Sequence, residues 1–282
     1  MSAATYDEYY YVASVKGNFP WPDAVVRLCF QGNWFRLVPP QSDRYANVVL
    51  ELPGVIPKGG EFAAHVPFAT TMHRFLSALS WSLEASIEVH DMGGSTFPHY
   101  ISGTRYSQVT MPVPSGFWLP ITTDTCALRA LGLVKEARAA QNSFPTVSFL
   151  WFYKAVEVCV GYRGSGPRKF YKDAVALLSG DARLIYDSLN LKTSLEEHMR
   201  GSRRHAIAHG EYSTSIDPDD VPSIRNTRFE LPLIAQLAEI AIAQRFDLHH
   251  CAEMATRARA GIQISGWTPV TRMQHPWCSD NA

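Results

Sequence analysis

Arg204-His205-Ala206-Ile207-Ala208-His209-Gly210 is the stretch on which the reading of the chain turns. A guanidinium offers five donors and keeps its charge at any ordinary pH. An imidazole titrates near neutrality, at about 6.5 when unperturbed. Together they can hold a phosphate and move a proton. The preceding residues, 193–204, read as a helix. Thr193 with Glu196, or Ser194 with Glu197, makes a capping-box pattern at its start, and Gly210 suits the C′ position at its end. On an ideal α-helix, positions five apart diverge by roughly 140°. Arg204 and His209 therefore converge only if the helix ends or loosens near Ala208, whereas His205 and His209, four apart, share a face. Without such convergence the three residues would simply be surface groups favouring the C-terminal end of a helix dipole.

Outward from that stretch, residues 122 onward carry helical periodicity. The residues predict helices over 125–140, with Asp124 as cap, and from Pro145 to about Tyr162. A third begins after the Gly164-Ser165-Gly166-Pro167 break and ends at Gly180, and a short one spans 181–189. Asp217-Pro218-Asp219-Asp220-Val221-Pro222 lies in a polar loop expected over 211–226. A last helix is expected from about Phe229 to Phe246, with Leu233, Ile234, Leu237, Ile240, Ala241 and Phe246 as its apolar stripe. Antiparallel helices of this length make a bundle.

The first half reads differently. Tyr9 to Val15, Ala24 to Phe30, Trp34 to Val38 and Asn47 to Leu52 are rich in aromatic and β-branched residues, and Gln31-Gly32-Asn33 makes a hairpin turn. Residues 67–83 switch to helical spacing, with Pro67 near the start, and residues 86–90 return to a strand. Asp91-Met92-Gly93-Gly94-Ser95 is expected as a turn that lacks the pattern of a phosphate-binding P-loop. Pro112, Pro114, Gly116 and Pro120 mark a linker over 111–120. The fold class is thus α+β: a mixed N-terminal domain over 1–120, an all-α bundle over 121–250, and a C-terminal helix or tail over 251–282.

Composition limits the function classes. Hydrophobic residues make up 46% and charged residues 18% of the chain, as in a globular protein with a sizeable core. Lys+Arg and Asp+Glu number 26 each, so any basic surface is local. Five scattered cysteines, an odd number, argue against a disulfide framework and for a reducing compartment. With neither a signal-peptide pattern nor an apolar run of about 18 residues, a cytoplasmic protein without a membrane span is expected.

The motif resembles the R-x4-6-H signature of the HEPN superfamily. The upstream Phe149-Leu150-Trp151-Phe152-Tyr153-Lys154-Ala155-Val156-Glu157, an acidic residue amid aromatics, resembles the first helix of many HEPN domains, where a glutamate faces the motif. This resemblance covers roughly residues 125–250. Arg74 to Trp81 and Gly93-Gly94-Ser95 add a similarity over most of the chain to accessory proteins encoded in methylamine-utilisation operons, which carry a HEPN-like C-terminal region. The resemblance implies a metal-independent endoribonuclease, or an RNA-targeting defence or stress protein, built as a homodimer and yielding a 2′,3′-cyclic phosphate. Arg204 and His209 would be its catalytic pair, His205 would orient the site or share the acid role, and Glu157 would fix Arg204. Arg200 and Arg203 would add phosphate-binding charge, and the partner would be RNA or a nucleotide. No cofactor and no metal are expected. His205 and His209 have zinc-pair spacing but lack the glutamate of H-E-x-x-H, and His249-His250-Cys251 with His275 and Cys278 lack a C-x2-C pair. The alternative is a non-catalytic accessory or sensor module that binds a nucleotide or a protein.

Overall fold

Burial alternates along Val26–Phe30 and through most of Asn33–Val38, while Tyr10 to Val15 and Ala46 to Leu50 are buried on both faces. In the computed structural model the described residues are 8–19, 21–40, 45–53, 62–95, 110–111, 118–161, 165–205, 207, 220–260 and 267–269. The protein is α+β. It divides into two compact units, one formed by Met1–Ile121 with His250–Ala282, the other by Thr122–His249.

In the first unit, β1 (Glu8–Gly17), β3 (Val26–Phe30), β4 (Asn33–Val38), β5 (Ala46–Pro53) and β6 (Ile87–Ser95) form an antiparallel sheet in the order β3-β4-β5-β1-β6. The hairpin between β3 and β4 turns through Gln31 and Gly32, both at positive φ, which matches the twist of the flanking strands. Helix α1 (Phe62–Ser82) buries Met72, Phe75, Leu76 and Leu79, one stripe at helical spacing, in a core with Val15, Leu28, Phe35 and Leu50. Phe75 stacks on Phe35 at 4.1 Å between ring centroids and meets Phe30 edge-on. On the opposite face of the sheet Arg27 and Arg36 share the carboxylate of Glu51.

Three expectations are corrected here. Helix α1 starts five residues before Pro67, which sits within its second turn. Gly93, Gly94 and Ser95 are not a turn but the end of β6, paired with β1. A Cβ on Gly94 would stand 1.6 Å from the Tyr9 hydroxyl, so this glycine makes room for a neighbouring ring. The expected linker is bordered by strands: β7 (Thr110–Met111) pairs in parallel with β2 (Trp21–Pro22), and β8 (Trp118–Pro120) pairs with β9 (Trp267–Pro269). Residues 112–117 between them lie outside the described residues. The C-terminal residues thus join the first unit, together with helix α8 (Cys251–Arg259).

The second unit is helical: α2 (Thr125–Ala140), α3 (Pro145–Val160), α4 (Ser165–Ala174), α5 (Gly180–Leu189), α6 (Leu195–Glu197), which runs on as a π-helix over His198–His205, and α7 (Val221–Phe246). The Asp124 carboxylate accepts from the backbone N–H groups of Cys126 and Ala127 and fixes the start of α2. Pro167 lies in the first turn of α4, where its missing N–H costs nothing. That helix ends at Ala174 and passes into a 3-10 turn over Val175–Leu177, short of the expected Gly180. Helix α7 begins eight residues before the expected Phe229, because Asp220 caps it by accepting from Ser223 N–H and Pro222 occupies its first turn. The supposed loop over 221–226 is therefore helix. Leu233, Ile234, Leu237 and Ala241 are buried as expected, while Ile240 and Phe246 are half-buried. Among the described residues no helix is long and apolar enough to cross a membrane.

Candidate functional site

Of the two capping boxes open to the sequence, the Ser194 hydroxyl is the one that caps: it accepts from Glu197 N–H at 3.2 Å. Leu195 and Met199, four apart, are 5% and 0% exposed and anchor this segment to the bundle. From His198 the backbone adopts the π form, which closes i to i+5 and brings residues five apart to one side.

His198 and Arg203 are five apart, and they meet the same carboxylate. His198 Nε2 lies 3.0 Å from Glu230 Oε2, and Arg203 donates through Nε at 2.9 Å and through Nη2 to the other oxygen. On an α-helix these two side chains would diverge by roughly 140°. The π register is what lets both reach α7. Glu230 is 1% exposed. Burial pushes its carboxyl upward, but the hydrogen bonds from His198 and Arg203, and the charge behind them, outweigh that and hold it below the usual carboxylate value.

Arg204 is the next residue along. It is half-buried, and its charge bears on Tyr153 of α3, as does that of Arg200. The Tyr153 hydroxyl is pushed up to about 12, first by burial and then by the Glu157 carboxylate, while Arg204 and Arg200 pull the other way. The charges of Arg200, Arg204, Glu157 and Glu196 thus all act on one buried phenol. Glu157 accepts from Lys154 at 2.5 Å, one turn earlier on α3. Arg200 lies 3.9 Å from Glu196, with half its side chain in solvent.

The expected site residues therefore separate. The charges of Arg204, Arg200 and Glu157 all bear on Tyr153. Arg203, expected on a phosphate, is tied to Glu230 instead. His205 is the last residue of the π segment, and His209 and Gly210 lie outside the described residues. The sequence reading passed over Glu230, His198 and Tyr153. One signal was present: Phe229-Glu230-Leu231 sets a carboxylate beside the apolar stripe of α7, and such a charge needs a partner.

Other histidines are engaged elsewhere. His249 Nε2 lies 2.9 Å from Asp247, and His250 Nδ1 lies 2.9 Å from the Trp81 carbonyl within the first unit. His275 and Cys278 lie outside the described residues, and among the described residues no three His, Cys, Asp or Glu side chains stand together as a metal set.

Chemically, a half-buried guanidinium can meet a phosphate oxygen and neutralise charge that grows on it. Comparison with curated proteins and with solved structures gives no significant match. Residues 130–243, which span most of α2 through most of α7 and contain Tyr153, Arg204 and Glu230, match the family described as methylamine utilization protein MauJ.

Proposed function

We propose that the helical unit is an RNA-directed, metal-independent endoribonuclease of the HEPN type. In this reading Arg204 holds the scissile phosphate and neutralises its growing charge. His209 takes the proton of the ribose 2′-OH, or gives one to the leaving oxygen, and the product is a 2′,3′-cyclic phosphate. His205 orients the site, and a homodimer completes it. The observation that supports this most is the cationic charge that Arg204 and Arg200 bring to bear on the buried Tyr153. Arg203 is held on Glu230 and fixes the segment from which Arg204 acts.

The test is RNA cleavage by the purified protein in a chelator-containing buffer. The parent cleaves, and Arg204→Ala and His209→Ala each lose activity by about 10²-fold or more, the lower range for a positioned proton-transfer group. Both variants keep the parent's circular dichroism. Cleavage by either variant at the parental rate would overturn the assignment.

The family match favours a second reading, a methylamine-utilisation-type accessory protein whose bundle binds a nucleotide or a protein without cutting it. A parent that binds nucleotide and leaves RNA intact selects that reading.

A further inference from the structure

Beside the Tyr153 cluster, α4, α5 and α6 border a pocket of about 660 Å³, lined by Arg168, Tyr171, Lys172, Tyr186, Glu196 and Arg200 among others. That volume is in the range of sites for small organic ligands, at about 300–1,000 Å³. Its polar groups are arranged by depth. Tyr171 is 3% exposed, and its hydroxyl has no hydrogen-bond partner. A buried hydroxyl is ordinarily paired, and leaving it unpaired costs free energy. Burial, with Tyr153, Glu157 and Glu196 nearby, keeps this phenol protonated, so it has a proton to donate. Nearer the solvent stand three cations. Arg168 is 3.5 Å and Arg200 3.9 Å from Glu196, which is longer than the ~2.7–2.9 Å of a charge-assisted hydrogen bond. The guanidiniums are oriented by that carboxylate but keep donors to spare. Lys172 is exposed, and Leu195 and the half-buried Tyr186 add apolar surface to the lining.

We propose that this pocket binds a small organic anion: a flat body with a carbonyl-type acceptor that reaches Tyr171, and a phosphate or carboxylate held by Arg168, Lys172 and Arg200. Glu196 orients the two guanidiniums, and the three cations disfavour a cationic ligand. The inference stands apart from the cleavage reading, since binding here is measured with no RNA present.

The test is calorimetric titration of the full chain with four probes. Uridine 5′-monophosphate and orotate each join a flat acceptor body to an anion, one a phosphate and the other a carboxylate. Uridine supplies the body alone, and inorganic phosphate the charge alone. Either acid binds, and whichever binds assigns the head group. Uridine and inorganic phosphate bind at least about tenfold more weakly, as expected when a charge-assisted contact is lost. Tyr171→Phe lowers affinity by about 2- to 10-fold, the worth of one net hydrogen bond, with no loss of thermal stability because the deleted hydroxyl had no partner. Arg168→Ala combined with Lys172→Ala weakens binding further and flattens its salt dependence. The proposal is overturned if neither acid binds at millimolar concentration. It is equally overturned if uridine binds as tightly as its phosphate, or if affinity is untouched in all the variants.

Discussion

Glu230→Gln is the sharpest perturbation of the π segment. The parent carboxylate is 1% exposed and accepts three hydrogen bonds from two side chains, His198 and Arg203. The glutamine keeps the volume but removes the charge, and sets an amide N–H₂ against donors. Removing one partner of a buried ion pair costs about 3–5 kcal/mol, because the other charge is left uncompensated. Against a typical domain stability of about 5–15 kcal/mol this is a large fraction. The assay is urea unfolding of the full chain followed by far-UV circular dichroism, which the helices of the second unit dominate. The gap should depend on pH. Folding holds the Glu230 pKa below its ordinary value, so its contribution is complete above that value and disappears as pH falls through the folded one. From roughly pH 4.3 downward the parent should lose up to about 1.4 kcal/mol per pH unit from this group, and the variant should lose none of it. A double variant, Arg203→Met with Glu230→Leu, should recover much of the loss at pH 7, since no charge is then stranded. A cost below about 1 kcal/mol at pH 7, or a gap that stays constant from pH 7 to pH 3, would refute the ion-pair account.

Three further outcomes follow from capping and burial. Ser194→Ala removes the cap on α6 and should cost about 1 kcal/mol, seen as faster hydrogen exchange at the amides of Leu195 to Glu197; unchanged exchange would contradict the cap. The Cys159 thiol is pushed up to about 12, chiefly by burial, so alkylation near neutral pH should modify the exposed Cys126 well before Cys159, as mass spectrometry would show. The same raised pKa contributes stability below the ordinary thiol value and loses it as pH rises from about 9 towards 12. Tyr153 adds its own loss over the upper part of that window, so alkaline unfolding should begin above about pH 9.

What the sequence made legible was mostly local. Asp124 and Ser194 cap the helices whose first turns contain the N–H donors they accept from, and Gln31-Gly32 supplies the positive φ that its hairpin needs. Such features depend on residues within a few positions, so a pattern reader can find them. Gly93 and Gly94 misled because glycine permits a turn but does not demand one; here the demand came from the Tyr9 ring across the strand. The start of α7 was missed because Asp219, Asp220 and Pro222 suit a loop and a helix start equally well. The π register lay further out of reach. It shows itself through Glu230, which is 27 residues from Arg203 in sequence and beside it only when α7 packs against the π segment. The action of the Arg204, Arg200 and Glu157 charges on Tyr153 likewise depends on packing between helices, and periodicity along one helix carries no trace of it.

The pairing of β8 with β9 has a consequence for the order of events on the ribosome. Trp118–Pro120 waits for Trp267–Pro269, and every residue of the helical unit is synthesised in between. Domains generally fold as units while the chain emerges, and contacts distant in sequence form late. The bundle, residues 122–249, can therefore acquire its native form while the first unit still lacks its final strand. A chain stopped at residue 249 should carry an intact bundle next to a sheet domain with its last piece missing, and proteases would find the second of these first.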